Sequence, residues 1–282
     1  MVLVSANALA ANTTTTVKVG DLNYTVDPAT KEAEVTGAAT NYIANLVIPD
    51  EITYNEETYA VTSIAKRAFK DKNGFRGTLT LGNKLVTIGD EAFSQCTGFV
   101  GALKIPNSVV TIGNSAFDHC TALNSSLIIG SSVMSIGEKA FYFCSNLTGA
   151  LTIPNSVTFI GDYAFDNCSR LAGRLTLPEM LTSIGRNAFK DCSRLTGPLN
   201  IPGNSVAFIE GDAFGDCNGA TILYLPASLL SVGTWAFWCE KVRTVICEAV
   251  IPPAVISDYG IFLFFCPSRW NPVCTRREHR GV

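Results

Sequence analysis

Cysteine, histidine and carboxylate side chains build most catalytic and metal sites, and the 282-residue chain holds ten cysteines and two histidines. Six of the cysteines, Cys96, Cys120, Cys144, Cys168, Cys192 and Cys217, recur at a spacing of 24 residues with one step of 25. A metal needs thiolates converging from short spacings, whereas a fixed long translation spreads them along an axis. Disulfides between stacked copies fail on geometry. Their Cα atoms would lie about 5 Å apart, but parallel Cβ vectors hold the Cβ atoms near the same separation, outside the usual ~3.5–4.5 Å. The row therefore reads as free, inward-pointing thiols packed as small hydrophobes. Cys266 and Cys274 are separate from this row, and the short loop between them is one that a disulfide can close if the tail folds back.

His119 and His279 belong to no metal or nucleophile motif. His119 shares its position with Gln95, Phe143, Asn167 and Asp191, which marks an outward, unconstrained site. The carboxylate pair Asp90-Glu91 also falls on a variable surface position, and no glycine-rich phosphate loop occurs. The expectation is a protein that is not an enzyme, with no cofactor and no metal. A net charge of −3 offers no field for nucleic acid, and no apolar run reaches the ~20 residues of a transmembrane segment. Met1 to Ala10 reads as the end of an export signal with Ala8-Leu9-Ala10 as the cleavage site, although its basic region is missing. The arginines 276, 277 and 280 read as a solvated terminus.

The elements that carry these residues follow from the repeat. Ala-Phe pairs stand at Ala68-Phe69, Ala92-Phe93, Ala116-Phe117, Ala140-Phe141, Ala164-Phe165, Ala188-Phe189, Ala213-Phe214 and Ala236-Phe237. A period in this range means a solenoid, each copy burying its apolar face only against its neighbours. In the copy from Ala150 to Gly173, Leu151 and Ile153 alternate with small or polar residues as in a half-buried strand, and Pro154 ends it. A second short strand is expected at 157–160. Gly161 is expected to take a conformation closed to other residues, followed by one or two turns of helix to Cys168. Stacked copies should give a phenylalanine spine, a leucine row from Leu79 to Leu223 and an isoleucine row from Ile88 to Ile209.

The predicted fold class is an α/β repeat solenoid of parallel strands with short helical turns and a small N-terminal β cap. Its parts are a signal remnant and mobile lead-in at 1–15, a β cap at 16–60, about eight repeats at 61–253 and a tail at 254–282. An extra residue near Gly203, offset by one lost after Phe214, predicts a small bulge in the seventh copy.

The residues Ile153-Pro-Asn-Ser-Val157 and Ile160-Gly-Asp-Tyr-Ala-Phe-Asp-Asn-Cys168, with their copies from about Val47 to Pro253, resemble the BspA-type leucine-rich repeat of bacterial surface proteins. The resemblance implies a right-handed leucine-rich-repeat superhelix on exported proteins of host-associated bacteria, several of which attach to host proteins or other cells. It implies no enzymatic activity. Val245 to Pro253 is also similar to the segment that follows the last full repeat in such proteins, whereas the chain from Ile256 departs from their pattern.

A partner would meet the outward positions, which are free of packing duty. On the first strand these are Thr80, Lys104, Ile128, Thr152, Thr176, Asn200 and Tyr224, with Thr78 to Ile222 as a second row. Tyr142 and Tyr163 are candidate aromatic anchors, and Trp235 and Trp238 serve either as anchors or as a seal on the last coil. The leading expectation is a secreted or cell-surface monomer that binds a protein or glycan of the host or of neighbouring microbes. The alternatives are a glycan-binding accessory protein and a spacer presenting another domain.

Overall fold

The computed structural model describes residues 14–203, 205–248 and 253–255. The export-signal reading at 1–13, the Cys266–Cys274 pairing and the tail from 256 lie outside the described residues.

The chain opens with six strands that include the two longest described: β1 (Thr15–Val19), β2 (Leu22–Asp27), β3 (Glu32–Ala38), β4 (Leu46–Val47), β5 (Glu51–Tyr54) and β6 (Glu57–Ile64). In β2 the alternation is plain, with Leu22, Tyr24 and Val26 buried and the residues between them more open. β1, β2 and β3 form an antiparallel meander, and β3 then pairs parallel with β6. The meander thereby covers the edge that the first coil would expose. β1 begins at Thr15, which pairs with Val26, so the ladder starts inside the expected lead-in.

From there the strands shrink to fit the repeat. They are β7 (Leu79–Thr80), β8 (Thr87–Ile88), β9 (Leu103–Lys104), β10 (Thr111–Ile112), β11 (Leu127–Ile128), β12 (Ser135–Ile136) and β13 (Phe159–Ile160). They continue as β14 (Ser183–Ile184), β15 (Gly197–Asn200), β16 (Phe208–Ile209), β17 (Ala220–Leu225), β18 (Ser231–Val232), β19 (Thr244–Cys247) and β20 (Ala254–Val255). Two parallel ladders result. The second-strand ladder runs unbroken from β6 through β8, β10, β12, β13, β14, β16 and β18 to β20. The first-strand ladder is divided into β4–β7, β9–β11 and β15–β17–β19, with a bridge between Thr152 and Thr176. Register follows the repeat: Ile112 lies between Ile88 and Ile136, and Leu127 beside Leu103. A register shift at the Gly197–Pro198 step of β15 falls near the interruption of the spacing.

The interior is a set of columns. The rings of Phe69, Phe93, Phe117, Phe141, Phe165, Phe189, Phe214 and Phe237 stack with centroids 5.1–5.4 Å apart and planes within 11°. Leu103, Leu151, Ile88 and Ile160 are fully buried beside them. At about 1.5–3 kcal/mol per buried side chain, the columns supply most of the stabilisation. The cysteines from Cys96 to Cys217 are free and buried as expected, and Cys239 joins them although it follows Cys217 by only 22 residues. Each thiol donates to the carbonyl of a phenylalanine one coil earlier, as Cys144 Sγ does to Phe117 O at 3.1 Å and Cys168 Sγ to Phe141 O at 3.1 Å.

Two expectations fail, and both fail in the turn that follows the second strand. Among the described residues there is no helix. In the coil from Ser115 to Cys120 the amides of Ser115, Phe117 and His119 donate to Glu138, Ala140 and Tyr142 of the next coil at 2.7–2.8 Å. Only the alternate amides, those of Ala116, Asp118 and Cys120, bond back within their own coil, to the residue three before. A helix sends every amide back to the fourth residue before it, so it has none left for a neighbour. The alternation is produced by left-handed residues, Ser115 at φ 53° and His119 at φ 55° in this coil, and by their counterparts in the others. Gly161 is the second correction. It has no positive φ, and a Cβ there would meet Glu138 N at 2.6 Å, so glycine is required by close approach of the coil before it. Within the repeats the left-handed glycines are those that close the coils, such as Gly149 at φ 83° and Gly173 at φ 80°.

Candidate interaction surfaces

Three outward surfaces result from this coil. The first-strand face presents the row Thr80, Lys104, Ile128, Thr152, Thr176, Asn200 and Tyr224, continued at its two ends by Val47 and Ile246. All seven point outward, six of them exposed and Tyr224 half-buried between Asn200 and Ile246. Their neighbours Leu103, Leu127, Leu151, Leu175, Leu199 and Leu223 are buried, the alternation expected of a strand with one wet face. Lys104 is the single charge in the row.

The second-strand face was not singled out from the sequence. Its outward row is Thr87, Thr111, Ser135, Phe159, Ser183, Phe208 and Ser231, in which two phenylalanines are 46% and 47% exposed. Met134 and Leu230 lie beside them, also exposed. The signal was available: two aromatic residues stand at a position otherwise held by Ser and Thr.

The third surface is the turn edge. Here the structure brings Tyr142 and Tyr163 together, with ring centroids 6.2 Å apart at 90°. It adds two residues that the sequence left aside. His119 stacks on Phe143 with centroids 4.9 Å apart and planes within 1°, and Tyr142 packs edge-on against both. His119 is outward as expected but constrained. Its backbone is left-handed, its amide is bonded to Tyr142 O at 2.8 Å, and its Nδ1 lies 2.5 Å from Asp118 Oδ1. Lys139 Nζ sits 5.3 Å over the Tyr163 ring and 3.0 Å from Glu138. Asp118 and Asp166 occupy the position of Tyr142 in the coils on either side. Asp166 is buried and accepts a hydrogen bond from Asn167 Nδ2 at 2.8 Å. Burial pushes its carboxyl up to about 6, and the charge of Asp191 adds to the effect. Burial and then the carboxylate of Asp216 raise Asp191 as well.

Trp235 and Trp238 pack edge to face at 5.7 Å, with Trp235 42% exposed. At the other end an open groove of about 460 Å³ lies between β4 and the opening hairpins, with Leu22, Tyr24 and Ile52 in its wall beside Asp21 and Glu51. It holds neither a histidine nor a cysteine. Burial drives the thiols of the inner row far up, Cys96 to about 12, so they are neutral and inert as nucleophiles or ligands. Among the described residues no cluster of three or more His, Cys, Asp or Glu is placed to hold a metal ion, and no helix is long and apolar enough to cross a membrane.

Comparison with known proteins agrees with this architecture. A leucine-rich repeat protein of Bacteroides ovatus has a similar structure, with a TM-score of 0.70 and 28% identity over 84% of this chain. This chain spans 59% of the length of that protein. A leucine rich cell surface protein of Faecalibacterium prausnitzii is 17% identical, covering 85% of this chain and 96% of its own, with a TM-score of 0.33. A leucine rich repeat protein of T. pallidum is 19% identical, covering 83% and 84%, with a TM-score of 0.40. No curated protein matches. The BspA type leucine rich repeat region matches in six copies, at residues 43–172 and 172–257. With the stacked coils observed and the family's repeat matched over most of its length, this chain belongs to the BspA-type leucine-rich-repeat family.

Proposed function

We propose that the protein is a non-enzymatic interaction protein, secreted or held at the bacterial surface, that binds a macromolecular partner along its first-strand face. The observation that carries this reading is the outward row from Thr80 to Tyr224, exposed over six successive coils and half-buried at the seventh, while every neighbouring leucine is buried. Such a ribbon is open and nearly uncharged. It suits broad contact with a protein of the host or of another cell, because it encloses no small molecule. Family membership supports the surface location and the absence of chemistry, since BspA-type repeats are typical of bacterial surface proteins.

The test is capture of immobilised extracellular-matrix proteins by the purified chain. Replacing Lys104, Ile128 and Tyr224 by Ala should weaken capture while leaving thermal stability nearly unchanged. Unaltered capture by that variant removes the first-strand face. A glycan-binding role is the second reading, favoured by the aromatic group around Tyr142, and a silent glycan array beside clear matrix capture would eliminate it.

A further inference from the structure

The turn edge around Tyr142 combines half-buried aromatic rings with carboxylates, three of which form no salt bridge among the described residues. Both lysines of this region are already engaged, Lys139 with Glu138 at 3.0 Å and Lys190 with Asp212 at 3.4 Å. Among the described residues Asp166, Asp191 and Asp216 form no salt bridge. Burial raises both Asp166 and Asp191 most, the charge of Asp191 adds to the first and that of Asp216 to the second, and Lys190 offsets each only in part. An added cation would relieve that repulsion. The region already seats one: the ammonium of Lys139 lies between the Tyr163 ring and the Glu138 carboxylate. The aromatic residues pack on one another and on His119, outside the core columns. Their counterparts one coil away are Asp118 and Asp166 for Tyr142, His119 and Asn167 for Phe143, and Lys139 and Asn187 for Tyr163. Phe143 and Tyr163 moreover hold left-handed backbone, at φ 55° and 59°, where Asn or Asp is the easier residue.

We propose that the turn edge from Asp118 to Asp216, with Tyr142 at its centre, docks an extended, arginine-bearing segment of a protein partner. A guanidinium stacks on Tyr and Phe rings and pairs with carboxylates in the same arrangement, which an ammonium does less well. From Asp118 to Asp216 the edge crosses four coil steps of about 4.8 Å each, roughly 19 Å. An extended peptide places alternate side chains about 6.6 Å apart, so four arginines on one side span the site. This site rests on the reading of the chain as an interaction protein and supplies the class of partner, but it lies on a different face from the Thr80–Tyr224 row.

The experiment measures anisotropy of a fluorescent peptide with arginine at alternate positions, at near-physiological salt, against the same peptide with citrulline in place of arginine. The whole chain should bind the arginine peptide saturably and the citrulline peptide at least about tenfold more weakly. The double variant Tyr142→Ser, Phe143→Asn takes residue types found at equivalent positions, Ser94 and Asn167, and so keeps the fold. It should lose about tenfold in affinity, and Asp191→Asn with Asp216→Asn about as much. Lys104→Ala with Tyr224→Ala should bind the peptide as the parent does. Absence of binding by the parent, equal binding of both peptides, or unchanged affinity in both turn-edge variants overturns the proposal. Loss of matrix capture is read separately, on the first-strand variants, so failure of one face is distinguishable from failure of the other.

Discussion

Phe141 and Phe143 are two residues apart in one turn, and both stack on aromatic rings of neighbouring coils, yet they belong to opposite regimes. Phe141 lies between Phe117 and Phe165 inside the solenoid, with both faces covered and no exposure. Phe143 lies outside, against His119 on one side and with Asn167 at its position in the next coil. Within the coil the same backbone bonds tie both to the following rung, Phe141 to Ala164 O at 2.8 Å and Phe143 to Asp166 O at 2.9 Å. Coil stacking is therefore secured by the backbone at both positions. The inner column adds a demand for one side-chain shape repeated, because each ring is the wall of the next. The outer column makes no such demand, and its residues range from Gln95 to Asp216. An aromatic residue in the outer column answers to its lateral neighbours, which for Phe143 are His119 and Tyr142.

This contrast can be broken at several points. The largest effect is expected from Phe141→Ala, which opens a cavity in the spine and should cost about 3–5 kcal/mol in chemical denaturation. A cost under about 1 kcal/mol would mean that the rings do not carry the stack. Next is Cys168→Ala, which removes a buried sulfur and the donor to Phe141 O, with an expected loss of about 1–2 kcal/mol. In the native protein the inner thiols should resist alkylation at pH 8 and react only on unfolding, since burial raises them all.

Asp166→Asn should act in the opposite direction. The native carboxyl titrates near 6, above its ordinary value of 3.8, so the folded state binds its proton more readily than the unfolded chain. The contribution of this group to stability is therefore best at low pH and falls as pH rises through about 6. The variant should be more stable than the parent at pH 7 by about 1 kcal/mol, the shift being trimmed by nearby solvent. That advantage should vanish near pH 4, and parallel pH–stability profiles for the two proteins would contradict it. The smallest change is expected from Tyr142→Ser with Phe143→Asn, within about 0.5 kcal/mol of the parent because these are outward residues. A large loss would place Phe143 in the core regime after all.

Much of the fold could be read from particular residues. The recurrence of Phe, Ile, Leu and Cys at one spacing implied columns, and columns are what the ladders and rings display. The outward row of Thr80, Lys104 and Ile128 followed from alternation beside the leucines. The turn edge was legible only in part. Tyr142 and Tyr163 stood out as large residues at variable positions. Phe143 was seen in its row without being recognised as an anchor, and His119 was set aside for lack of a motif. Phe159 and Phe208 were missed although Ser135 and Ser183 hold the same position. The partners of a side chain across coils depend on which way each turn residue faces, and periodicity does not report that.

The sequence by itself determined that copies stack in register, because only translation by one repeat brings identical apolar shapes into contact along the whole chain. The tertiary structure decided how the backbone runs between the strands. The eight residues from Gly161 to Cys168 are long enough for a helical turn, and nothing in their types forbids one. The adjoining coil offers carbonyls at 2.7–2.8 Å to Tyr163 and Phe165. Alternate amides turn outward to meet them, and left-handed residues replace the helix. The hydrogen-bond partner that settles the conformation lies one repeat away, out of reach of any local reading.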